Sequence, residues 1–132
     1  MRKLWVEQGR LHRAEIQSIV EMVGQQHVSV VDDVRPMAET EAPQGLVADC
    51  APISPVPIDA MPGPGAAIVV LDHIEDPQNV GAVARSAGAA GMTGLVMSSK
   101  RQAPLSAAAF KAAAGALERI PVAFVGSIPE AL

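Results

Sequence analysis

Three short apolar runs in the second half of the chain, Ala67–Leu71 (AIVVL), Gly94–Met97 (GLVM) and Pro121–Val125 (PVAFV), alternate with two helical stretches. This alternation constrains the fold more than any other feature. Runs without polar interruption suit strands covered on both faces, as in a parallel sheet. After the first run, Asp76-Pro77 opens a helix: Asp is a favoured N-cap, and Pro is favoured at the first helical position. That helix is expected to reach about Ala90, with Gly91 as its C-cap. Leu105–Leu117 reads as a second, Ala-rich helix. Strand–helix–strand–helix–strand with short connections predicts an α/β fold, a right-handed parallel βαβαβ unit.

Upstream, residues 51–65 (APISPVPIDAMPGPG) carry Pro52, Pro55, Pro57, Pro62 and Pro64. Proline removes backbone donors and restricts the residue before it, so the stretch reads as an extended linker. Residues 1–50 then form a separate small α/β segment. Leu4–Val6, Val28–Val31 and Gly45–Ala48 read as strands, and Leu11–Val23 has helical spacing with Gly24 as its C-cap. So small a segment buries little core and looks incomplete. The expected organisation is residues 1–50, a linker over 51–65, and residues 66–132.

Composition removes several functional classes. Trp5, Phe110 and Phe124 are the only aromatic residues, which leaves no set of rings on which bases could stack. A formal charge of −4 argues against nucleic-acid binding driven by bulk charge. Local basic patches remain around Arg2, Lys3, Arg10 and Arg13, and around Lys100 and Arg101; ordinary solvated surface is the plainer reading of both. Cys50 stands alone, so no intrachain disulfide forms, which suits a cytoplasmic setting. It has no metal-ligand spacing to another Cys or His, and no metal is expected. The first residues lack the apolar stretch of a signal peptide, and no run reaches the roughly 18 apolar residues of a membrane span.

The informative segment is Asp72–Gly91, DHIEDPQNVGAVARSAGAAG, at the carboxyl end of a strand, where ligands bind in open α/β sheets. It is neither a G-x-G-x-x-G fingerprint nor a Walker A loop. In helical projection Val80, Val83, Ala84 and Ala87 share a core face, while Gly81 and Gly88 form a small-residue strip at its edge that suggests either close approach of another backbone or simple tolerance in a well-packed helix. Arg85 points away from that face, and Asn79 sits in the first turn, near free N–H groups. Taken singly, each residue has a plain reading. Asp76 is a cap, Arg85 a solvated helix residue, Asn79 first-turn decoration and His73 a loop histidine.

Taken together, Asp76-Pro77-x-Asn79-x-Gly81-x-x-x-Arg85-x-Ala87 resembles the first signature motif of SpoU-type (TrmH-like) RNA 2′-O-ribose methyltransferases of the knotted SPOUT superfamily. The run Lys111-Ala-Ala-Ala-Gly115-Ala116-Leu117-Glu118-x-Ile120-Pro121 is similar to the family's SAGALE-x-P stretch, with Ala114 where serine is common. Pro43-Gln44-Gly45-Leu46-Val47-Ala48 looks like the end of its N-terminal substrate-binding domain. The resemblance implies S-adenosylmethionine as methyl donor, tRNA or rRNA as substrate, and a homodimer with a site formed across subunits. It implies catalytic roles for Arg85 and Asn79, with Asp76, Gly81 and Glu118 in support. The expected fold is an incomplete α/β knot preceded by a small incomplete RNA-binding-type domain. The family's second and third motifs, which tie the knot and form the donor pocket, find no match here. Hence a truncated enzyme without independent methyl transfer is the expectation. A non-catalytic RNA-binding or dimerising remnant is the alternative. An unrelated flavodoxin-like domain would use Asp72, Glu75 and Asp76, but leaves the Asn79/Gly81/Arg85 spacing unexplained.

Overall fold

A computed structural model describes residues 1–61 and 63–131; Pro62, counted above in the proline-rich stretch, and Leu132 lie outside the described residues. The chain divides into two units, Met1–Pro52 and Ile53–Leu132.

In the first unit, alternation decides which face of the sheet is buried. Strand β1 (Lys3–Glu7) turns Leu4 and Val6 inward and leaves Trp5 on the other face, with Lys3 Nζ 5.2 Å from its ring centre. Strand β2 (Val28–Val31) pairs parallel to β1, and β3 (Leu46–Asp49) pairs antiparallel on its other side. Helix α1 (Ala14–Val23) lays Ile16 on Leu4 and Val6, with Leu11, Val20, Val28 and Leu46 around them. Three elements differ from expectation in their bounds, β1 by one residue at each end. Helix α1 starts at Ala14, not Leu11, because Gln8–Arg10 form a 3-10 turn and Arg13 is extended (φ −77°, ψ 129°). Strand β3 starts at Leu46, because Gly45 has φ +81° and breaks the extended run. Beside β2, Arg35 donates to Asp33 Oδ1 and Oδ2 at 3.0 and 2.9 Å, and this hydrogen bonding holds the Asp33 carboxyl below its usual range.

In the second unit, strands β4 (Ile68–Leu71), β5 (Gly94–Ser98) and β6 (Val122–Val125) form an all-parallel sheet in sequential order. Right-handed crossovers between neighbours place both helices on one face. Helix α2 (Pro77–Ala89) and helix α3 (Ala107–Ala113) bury that face, where Leu71, Leu95, Met97 and Val122 meet Val80, Ala84, Ala109, Ala113 and Leu117. The second helix is much shorter than Leu105–Leu117. It stops at Ala113 because Ala114 turns left-handed (φ 49°, ψ 45°) and Gly115 follows at φ +87°.

The other sheet face has no long helix. It is covered by the proline-rich stretch, which is therefore more than a connector. Met61 is buried against Val96, Ala123 and Val125, Val56 packs beside them, and Val56 N–H donates to Val122 O at 2.9 Å. The stretch is not extended throughout, since Ile58–Ala60 form a 3-10 turn after Pro57, and the apolar residues between the prolines supply the cover. The short helix α4 (Ile128–Ala131) joins them. A small apolar groove of about 170 Å³ remains between Ile58, Ile68, Val70 and Ile128.

Candidate functional site

Helix α2 is fixed at both ends. Asp76 Oδ1 accepts the Gln78 N–H at 2.8 Å, satisfying one of the free amides of the first turn, and Pro77 takes the first helical position. The loop before it is tied to the loop after β5: Ile74 N–H donates to Gln102 Oε1 at 3.2 Å, and Ala103 N–H to Ile74 O at 2.8 Å. Within that loop His73 has φ +55°, and its Nδ1 lies 2.6 Å from Asp72 Oδ1. At the far end Gly91 (φ +75°) lets Met92 N–H reach Ala87 O at 2.9 Å and its own N–H reach Gly88 O at 3.2 Å. That is a Schellman closure, which places glycine one residue beyond the cap, Ala90.

Helix α3 crosses α2 at Gly81. A methyl group on Gly81 would collide with the Ala109 carbonyl oxygen, and would stand 2.6 Å from Ala112 Cβ and 2.9 Å from Ala113 N. The two backbones touch there because no side chain intervenes. Gly88 is less confined, since the nearest atoms are Ala116 Cβ at 3.3 Å and Ile120 Cδ1 at 3.4 Å.

Between the second half of α2 and the turn after α3 lies a cleft of about 420 Å³, whose walls include Arg85, Gly88, Ala114, Gly115, Arg119 and Ile120. That volume falls within the roughly 300–1,000 Å³ of ligand clefts. No carboxylate lines it, and among the described residues neither arginine has an ion-pair partner. The turn is held in place: Arg119 and Ile120 N–H donate to Ala116 O at 3.1 and 3.0 Å, and Leu117 is buried.

Of the five residues singled out in the sequence, only Arg85 lines this cleft. Asn79 is exposed in the first turn of α2, about 9 Å back along the axis and about 120° around it for a regular helix. Asp76 is the cap, and Gly81 is the helix contact. Glu118 is exposed and outside the lining. Arg119 was passed over. Its signal was a basic residue inside the Gly115–Pro121 run, at the position left undefined by the motif. Ala114 lines the cleft without a hydroxyl, and its left-handed backbone is strained for a residue with a Cβ. Ala114→Gly is therefore expected to stabilise the second unit by about 1 kcal/mol, read as a higher urea midpoint at unchanged slope.

Among the described residues no group of three or more His, Cys, Asp or Glu could hold a metal ion, and no helix is long and apolar enough to cross a membrane.

A parallel three-stranded sheet with both helices on one face, and an arginine-lined cleft beside the second crossover, defines a mixed α/β unit. Residues 66–132 match the SpoU rRNA Methylase family, and the chain belongs to that family. It is 29% identical over 139 residues to a putative TrmH family tRNA/rRNA methyltransferase, YacO, of Bacillus subtilis, covering 98% of this chain and 55% of that protein. It is 42% identical over 67 residues to the 23S rRNA (guanosine-2′-O-)-methyltransferase RlmB of Xanthomonas campestris, covering 51% of this chain and 27% of that one. Among solved structures, the SpoU methyltransferase AviRb of Streptomyces viridochromogenes matches with a TM-score of 0.72 at 20% identity, over 98% of this chain and 48% of that chain. An rRNA methyltransferase of Sinorhizobium meliloti matches with a TM-score of 0.68 at 22% identity, over 94% and 47%. These structural likenesses show the fold. The chain spans about half the length, or less, of the curated relatives it matches.

Proposed function

We propose that this chain is part of an RNA 2′-O-ribose methyltransferase acting on tRNA or rRNA with S-adenosylmethionine as methyl donor. The carrying observation is Arg85, without an ion-pair partner among the described residues, in a cleft at the helix pair of a SpoU-family sheet. The donor is supported by the AdoMet complexes of the Sinorhizobium and Streptomyces enzymes. In this reading residues 66–132 are the front half of an α/β-knot methyltransferase domain. Residues 1–50 belong to a substrate-binding domain that meets RNA, residues 51–65 join the two, and the working form is a homodimer.

The donor does not fit the clefts of these residues. The groove on the far sheet face is lined by aliphatic side chains alone, and the Arg85 cleft presents two cations, which repel a sulfonium. In this reading these residues serve the RNA and not the donor. When bound, the donor supplies an electrophilic methyl group. The residues here act on the other reactant, the ribose 2′-hydroxyl, whose oxygen must shed its proton as it gains the methyl carbon. Arg85 does not take that proton, because a guanidinium presents only N–H donors and no acceptor. It orients the hydroxyl and favours negative charge developing on the oxygen. In this reading Asn79 shares the catalytic role with Arg85, Asp76 and Gly81 support the site by capping α2 and setting its contact with α3, and Glu118 supports the neighbouring turn.

The test uses RNA treated with the protein that carries this chain and S-adenosylmethionine labelled in the methyl group. A 2′-O-methyl group removes the nucleophile that alkali uses to cut the adjoining phosphodiester. Label is therefore expected in alkali-resistant dinucleotides. Label recovered in mononucleotides would refute ribose methylation.

A further inference from the structure

We infer that Arg119 is a second RNA-binding residue of this cleft, gripping the phosphodiester that flanks the ribose whose hydroxyl Arg85 orients; the inference rests on the RNA reading above. Arg85 comes from α2 and Arg119 from the turn after α3, so two separate elements bring guanidinium groups to one cleft of about 420 Å³. Like charges in one cleft repel, and nothing acidic in the lining offsets them. The occupant that suits such a cleft is an anion rich in acceptor oxygens.

A ribose and its neighbouring phosphodiester fit both halves of that demand. The 2′-hydroxyl needs one donor group, and the phosphodiester beside it has two free oxygens and one negative charge, which a planar guanidinium meets with paired N–H groups. Apart from the arginines the lining is glycine, alanine, Met92 and Ile120, so a sugar–phosphate backbone meets small or apolar groups and no competing charge there. Arg119 is also held where it can act. Its own N–H is bonded to Ala116 O at 3.1 Å, and the chain on either side is anchored by Leu117 and Ile120, which are 2% and 8% exposed. Glu118, its neighbour in sequence, does not line the cleft and so does not neutralise it from within.

The experiment is fluorescence anisotropy of a fluorescein-labelled, mixed-sequence single-stranded RNA titrated with the full chain across a salt series. Wild type, Arg119→Ala, Arg119→Lys and Arg85→Ala are compared, with circular dichroism melts checking that each is folded. Each phosphate contact to a single strand contributes about 0.7 to the slope of log affinity against log salt. Arg119→Ala is therefore expected to flatten the slope by about 0.7, and to weaken binding about fivefold at roughly 0.1 M salt, a tenfold dilution from 1 M. Arg119→Lys keeps the charge and is expected to keep the slope. An Arg119→Ala slope equal to wild type, with Arg85→Ala weakened, overturns the role of Arg119 and leaves the RNA reading standing. No salt-dependent binding by wild type overturns both.

Discussion

Gly81→Ala is expected to destabilise the second unit by about 2–3 kcal/mol, although alanine is the better helix former by about 1 kcal/mol. On an isolated helix the substitution would help. Here the new methyl group meets the Ala109 carbonyl oxygen and the Ala113 amide of α3, which are backbone atoms that no rotamer change can move aside. Relief requires α3 to shift off the sheet and opens gaps around Ala109 and Ala113, both fully buried. Gly81→Val should be worse, about 4 kcal/mol or more, which approaches the whole stability of a small domain. Gly88→Ala is the matched control. Its methyl group would face only the side chains of Ala116 and Ile120, at 3.3 and 3.4 Å, so the propensity gain and the crowding nearly cancel. Urea unfolding of the three variants measures the contrast, and a Gly81→Ala protein as stable as Gly88→Ala would refute the backbone-contact account.

Arg85→Lys is expected to lower methyl transfer by about 10²–10³-fold in kcat, the loss typical of removing one aimed hydrogen-bond donor group from a reacting oxygen. Charge is kept, so a role limited to attracting RNA would leave turnover near wild type. The planar fork is lost, so a role in orienting the hydroxyl would not survive. Arg85 is exposed and has no ion-pair partner among the described residues, so its replacement should not disturb folding. Single-turnover methylation with saturating RNA separates the two, because saturation removes any deficit in binding. Near-normal single-turnover rates for Arg85→Lys would remove Arg85 from the chemistry.

Much of this architecture was legible because local signals agreed. The three apolar runs became the three parallel strands, and Asp76-Pro77 and Gly91 closed the helix they bracketed. Of the two readings open for the Gly81/Gly88 strip, close backbone approach holds at Gly81, while Gly88 meets only side chains. The misreadings have one common origin, since apolar or helix-favouring composition says little about where a backbone turns. Leu105–Leu117 is rich in alanine throughout, yet the helix stops at Ala113, because Leu117 and Ile120 are buried only if the chain reverses at Ala114–Gly115. The proline-rich stretch reads as a spacer by its prolines, while Val56 and Met61 between them are drawn onto a sheet face the helices leave bare. Of the two arginines that line the cleft, the sequence singles out Arg85 and not Arg119. A helix projection orders residues on one element, and says nothing of what a turn some thirty residues later brings alongside.

The crossing at Gly81 bears on the timing of order in the cleft. Two helices in backbone contact have no intervening side chains to change rotamer, so α2 and the start of the turn at Ala114 form one rigid frame. The orientation of the Arg85 helix relative to that turn is therefore set when the chain folds, which in the proposed reading is before any RNA is met. Only the long arginine side chains are left to order on binding, at about 0.5–1.5 kcal/mol each, and the larger entropy of aligning two secondary-structure elements is absent from the encounter.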